Sequence, residues 1–166
     1  EVGFHYAITP AFGLRIGAGY QTKGSRTQVL LINPLGEQVA SGFVDQSLDY
    51  ITIPVMARYG FGERIRFTAG GGFYAGLLTR ARTVHAGQLR SSAQDIADDL
   101  EPLDAGLCAS LEFAFRLSDR LRITAETRYG KGLTNISALP LVDDGSIRTN
   151  AACLLIGLGY RLGGPR

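Results

Sequence analysis

Few side chains in this 166-residue chain have the types and spacing to do chemistry. His85 precedes Ser91 and Ser92 closely enough that a serine–histidine pair of a lipid-active hydrolase can be drawn. Such a pair needs a third group to orient the base, and no GxSxG elbow is present, so His85 reads as a hydrogen-bonding loop residue. The run Asp95, Asp98, Asp99, Glu101, Asp104 offers oxygen atoms to a calcium ion. Its spacing matches no EF-hand, so it reads as a solvated acidic face; neither a metal nor a cofactor is expected. A further set of charges comprises Arg15, Lys23, Arg58, Arg66, Arg116, Arg122, Arg128 and Arg161 against Glu112 and Glu126. These ten lie at every second position of otherwise apolar segments, and that placement raises the question of what carries them.

The carriers are strands. From Leu121 to Tyr129 one face reads Leu121, Ile123, Ala125, Thr127, Tyr129 and the other Arg122, Thr124, Glu126, Arg128. Ile65 to Leu77 divides the same way, with Arg66, Thr68, Gly70, Gly72, Tyr74 and Gly76 on the polar side. Successive strand side chains point to opposite faces, so each segment has one apolar and one polar surface.

Two arguments turn the polar surface inward. The lumen of an eight-stranded barrel is just filled by side chains, and the apolar face would bring too many large ones. The polar face is instead thinned by Gly17, Gly19, Gly70, Gly72, Gly76, Gly106, Gly157 and Gly159, as crowding beside long cations would require. The apolar face must then meet lipid, and Ile51, Ile53, Val55, Leu111, Phe113, Ile123, Leu154, Ile156 and Leu158 are expected there. The outward aromatics fall at strand ends, Tyr59, Phe61, Phe113, Phe115 and Tyr160 below and Tyr20 and Tyr129 above, as interfacial girdles do. The fold class is an all-β, antiparallel, transmembrane up-and-down β-barrel, a single domain over residues 1–166.

Composition agrees. No apolar run approaches the roughly 20 residues of a membrane helix. The net charge of +2 and the lack of a basic stripe interleaved with aromatics give no reason to expect nucleic acid. The inward charges Glu112, Glu126, Arg58, Arg66, Arg116, Arg122, Arg128 and Arg161 are expected to form a network that plugs the lumen, with both glutamates touching Arg66, Arg116, Arg122 or Arg128. Cys108 and Cys153 lie on strands separated by another and are expected to be free thiols. Pro54 removes a ladder donor mid-strand, which predicts a bulge or an unpaired position there.

Strands are expected near 1–8, 14–27, 47–61, 64–82, 104–117, 121–134 and 148–162. Short connections (9–13, 62–63, 118–120) alternate with long ones (28–46, 83–103, 135–147), the pattern of periplasmic turns and extracellular loops. Seven strands is an odd number where such barrels have an even one, so the expectation is an eight-stranded type whose first strand is missing from this chain, trimmed or donated by a partner.

Several stretches resemble the Bacteroidetes-type outer-membrane β-barrel family of PorT-like and "porin family" proteins. They are Tyr20–Gly24 (YQTKG), Leu48–Gly62 (LDYITIPVMARYGFG), Phe67–Leu78 (FTAGGGFYAGLL), Arg128–Ile136 (RYGKGLTNI) and Leu154–Leu162 (LLIGLGYRL). The chain departs from that pattern at Thr52, where an acidic residue is usual, and at Leu162, where an aromatic is commoner. The resemblance implies a fold and a place, the bacterial outer membrane; members are mostly of unknown function. The expected role is a structural or binding module of the cell envelope, with membrane lipid and another envelope protein as partners and no catalysis. A narrow anion-favouring channel is the second reading and a lipid-active enzyme the third.

Overall fold

The chain forms one antiparallel sheet that curls around a polar interior. The computed structural model describes residues 1–33, 35–36, 38–87, 91–139 and 145–162. Its strands are β1 (Val2–Ala7), β2 (Phe12–Ile32), β3 (Gln38–Phe61), β4 (Ile65–Gly87), β5 (Ser91–Asp95), β6 (Leu103–Arg116), β7 (Leu121–Gly132) and β8 (Asn150–Tyr160). They pair in the order β1-β2-β3-β4-β6-β7-β8, and the short β5 adds to β4 alone. A 3-10 turn, Ala97–Asp99, is the remaining regular element among the described residues.

The curl follows from two contacts. In the sheet, β2 and β7 are separated by β3, β4 and β6, yet Arg15 on β2 lies 2.6 Å from Glu126 on β7. Arg128 on β7 likewise lies 2.6 Å from Glu1, next to β1. Only a sheet bent back on itself brings those side chains together. Among the described residues no pairing joins β1 to β8, and the antiparallel order makes these two edges run the same way.

Side chains alternate as period two requires. Along β3 the residues from Ile51 to Gly60 are exposed at odd and buried at even positions. The outer surface is apolar, with Val55, Leu111, Leu154, Ile156 and Leu158 all exposed. At the end carrying the short turns, Phe61, Phe67 and Phe113 pair across three strands with ring centroids 5.8 and 5.2 Å apart, the cross-strand aromatic contact of a girdle. Tyr59 and Tyr160 lie exposed at the same end, whereas Phe115 is half-buried under the Arg64 guanidinium.

Two of the long connections are not loops. β2 and β3 continue as a hairpin into the 28–46 region, pairing from Thr22↔Asp49 up to Ile32↔Gln38, and β4 with β5 extends the sheet on one side. A membrane strand needs only about 9–11 residues, so a strand ended at the polar boundary is ended too early. Beyond the membrane Thr27, Val29, Val39, Phe43 and Val44 still favour extended backbone. About ten residues per strand project past the bilayer, roughly 30 Å of sheet at 3.3 Å each.

Of the two arrangements expected at Pro54, a bulge or an unpaired position, the structure has the unpaired one. Pro54 stays in register opposite Tyr74, and the β2 ladder merely lapses between Ile16↔Val55 and Gly19↔Thr52 without a shift. A missing donor interrupts hydrogen bonds but need not insert a residue. The shift on the β3–β4 ladder falls between Asp49 and Tyr50, with Thr79 as the extra residue and its hydroxyl donating to the Asp49 carbonyl at 3.0 Å.

Inward glycines make room for large polar neighbours. A methyl group on Gly106 would fall on the Lys131 carbonyl oxygen and 2.8 Å from the Tyr74 ring. Gly106→Ala is therefore expected to destabilise the barrel by about 1–3 kcal/mol, the usual cost of overpacking. Reversible urea unfolding in detergent micelles measures it, and Gly71→Ala, whose methyl group would meet nothing closer than 4.0 Å, is the control.

Candidate functional site

Three layers fill the lumen. The middle layer is an Arg–Glu network. Arg15 reaches Glu126 at 2.6 Å, Glu1 at 2.9 Å and Glu112 at 3.5 Å. Arg58 lies 2.9 Å from Glu112, and Arg128 binds Glu1 at 2.6 Å and Glu126 at 2.9 Å. The carboxylate of Glu126 is 3% exposed, and charges this deep persist only when paired and hydrogen-bonded.

The upper layer centres on Lys23, whose three ammonium protons each find an acceptor. Its Nζ donates to Asp104 at 2.6 Å, Thr149 at 2.9 Å and the Tyr74 hydroxyl at 3.2 Å. It also sits 4.9 and 4.5 Å from the ring centres of Tyr50 and Tyr74, so both aromatic faces stabilise the cation. Asp104 is itself held by the Thr149 and Thr134 hydroxyls. Between these layers lies a cavity of about 20 Å³ lined by Lys23, Tyr74, Cys108, Arg128 and Cys153, room for about one water molecule.

An apolar cluster lies above these layers. Ile136, 2% exposed, packs with Leu48, Tyr50 and Ala81, and Leu78, Ile96, Ala97 and Leu100 complete the cluster. The segments on either side of β6 and β7 are tied together: Glu101 N–H donates to Ile136 O at 2.9 Å and Ala138 N–H to Asp99 O at 3.0 Å.

The third layer is the mouth at the short-turn end, where Arg66 and Arg122 are half-buried. Arg116 and Arg161, expected inside the network, lie instead at the open rim and are exposed, because Arg116 ends β6 and Arg161 follows the last residue of β8. The partners of Glu112 also differ from expectation: they are Arg58, two strands along the same wall, and Arg15 on β2, rather than Arg66, Arg116, Arg122 or Arg128. Ile51, Ile53, Val55, Leu111, Phe113, Ile123, Leu154, Ile156 and Leu158 all sit on the exposed outer surface.

Asp104, grouped above with a solvated acidic run, is buried in the lumen as the partner of Lys23. Its period-two offset from Gly106 and Cys108 is the signal that separates it from Asp98 and Asp99. Among the described residues no three His, Cys, Asp or Glu side chains converge as metal ligands. Cys108 and Cys153 are free thiols facing the small cavity. His85 and Ser92 sit opposite one another on the β4–β5 ladder, and no hydrogen bond links them. On the projecting arm, Arg26 grips Asp45 at 2.5 and 2.9 Å, and this hydrogen bond holds the Asp45 carboxyl below its ordinary range.

No curated protein matches the chain. One protein family does, described as "Outer membrane protein beta-barrel domain", and the match spans residues 1–138.

Proposed function

Since the chain belongs to this outer-membrane β-barrel family, and resides in the bacterial outer membrane, we propose that it is a structural or binding module of the cell envelope and has no catalytic role. The barrel anchors the β2–β5 arm above the membrane, and the arm meets an extracellular ligand or another envelope protein. Rigid scaffolds commonly present binding surfaces in this way. The arm is suited to contact, with Val29, Leu30, Val39 and Phe43 exposed beside the Arg26–Asp45 pair. Within the family, the Tyr50–Pro54 piece and the Gly132–Asn135 corner favour the Bacteroidetes-type, PorT-like branch.

The observation that carries this reading is the filled lumen. Lys23 and Asp104 bridge it, Ile136 packs with Tyr50 above them, and the cavity beside Lys23 has room for about one water. Purified protein in planar bilayers is expected to give no stepwise conductance. Sustained anion-selective steps would put the narrow channel in its place, a reading favoured by the excess of arginine at the mouth. The His85–Ser92 juxtaposition is the one feature that favours a lipid-active enzyme. Loss of lipid A or phospholipid turnover on His85→Ala would establish that reading.

A further inference from the structure

Charge in the lumen does not balance along its length. The middle network matches Arg15, Arg58 and Arg128 with Glu1, Glu112 and Glu126. Among the described residues nothing comparable serves the mouth. Arg116 and Arg122 are direct cross-strand partners on the inward face, and like charges so placed repel. The Arg122 guanidinium also lies within electrostatic reach of Arg161, Arg66 and Arg58, with Glu112 as the carboxylate among its neighbours. Glu112 is shared with Arg58 and Arg15, both of which it meets through Oε2. Arg66 donates to the carbonyls of Pro10 at 2.7 Å and Gly60 at 3.3 Å, which leaves its charge uncompensated. The adjoining turns add no net charge, since Glu63 is followed by Arg64 and Asp119 by Arg120.

A second observation points to a ligand. Deeper along the same wall, Arg58 and Ser110 flank Gly70 and are each 5% exposed. Arg58 Nε and Ser110 Oγ are buried and carry no hydrogen bond. A buried donor without an acceptor is costly, so such groups call for a partner. Arginine forks match the oxygens of a multiply charged oxyanion in pairs, and a hydroxyl and a guanidinium Nε–H are donors of the same kind.

We propose that the short-turn mouth of the lumen is an oxyanion-binding site, with Arg66, Arg122, Arg116 and Arg161 as its cationic ring and Arg58 and Ser110 as its floor. The ligand class is a small phosphate-like dianion entering from the periplasmic side, the side of short turns in such barrels. The site is a vestibule rather than a passage, and it is separate from whatever the arm binds.

Protection from arginine modification tests this on the native protein. The full chain, folded in maltoside micelles, is treated with phenylglyoxal in sodium phosphate or in sodium chloride of equal ionic strength. Modified arginines are then mapped by mass spectrometry. Phosphate is expected to slow modification of Arg66 and Arg122 severalfold and to leave Arg26 and Arg80 on the arm unchanged. Equal modification in the two salts, or equal slowing at all four, would overturn the site. By calorimetry, Arg122→Gln is expected to weaken phosphate binding about tenfold, the loss of one charge-assisted pair of hydrogen bonds. Unaltered phosphate binding in folded Arg122→Gln protein would contradict the assignment. The conductance result does not bear on it, because a site at the mouth can fill whether or not the lumen conducts.

Discussion

Replacing Glu126 with glutamine is expected to destabilise the folded barrel by about 3 kcal/mol, the lower end of the range for breaking a buried pair. The carboxylate is 3% exposed and serves both Arg15 and Arg128. The lower end applies because Glu1 still binds both guanidiniums in the variant. Urea unfolding in micelles gives the value, and adding Arg15→Gln to Glu126→Gln is expected to recover part of the loss, since fewer charges are then left unpaired. A change within about 0.5 kcal/mol, the size seen at plain surface positions, would mean that water solvates this network and that the lumen is open.

The second large effect is on the outer wall. Val55 projects from β3 at the level of Ile16 and Phe73, in the middle of the apolar band. Val55→Arg is expected to cost ~2–4 kcal/mol in a lipid bilayer, the depth-dependent cost of a guanidinium near the midplane. Val39→Arg, on the arm and exposed to water, is expected to be near neutral. Equal, small effects at both positions in refolding experiments with lipid vesicles would mean that the band does not face hydrocarbon.

The two faces were legible in the sequence because strand geometry imposes a strict period of two. Arg122, Glu126 and Arg128 share one face and Ile123 and Tyr129 the other, whatever the global shape. Which charges meet was not legible. Glu112 meets Arg15 because the sheet curls, and curvature brings together positions that no local spacing relates, while Arg58 reaches Glu112 over Gly70, a pairing that only the strand register reveals. Asp104 escaped for a related reason: composition groups it with Asp98 and Asp99, while strand register turns it toward Lys23. The arm was hidden by polarity, since outside the bilayer a strand no longer needs an apolar face. The ends of Arg116 and Arg161 show the same limit, because parity fixes the face of a residue but not its depth.

The apolar face of the sheet meets lipid and the polar face lines the lumen, and site-directed spin labelling measures that. Single labels at Ile53, Leu111 and Ile156 in the reconstituted protein are expected to collide often with lipid-soluble oxygen and seldom with a water-soluble nickel complex, with the reverse at Val39. Labels at those three sites that respond to the nickel complex, or to neither reagent, would contradict it: the apolar wall would then face water or a protein core, and the polar lumen would not be the inside of a membrane barrel.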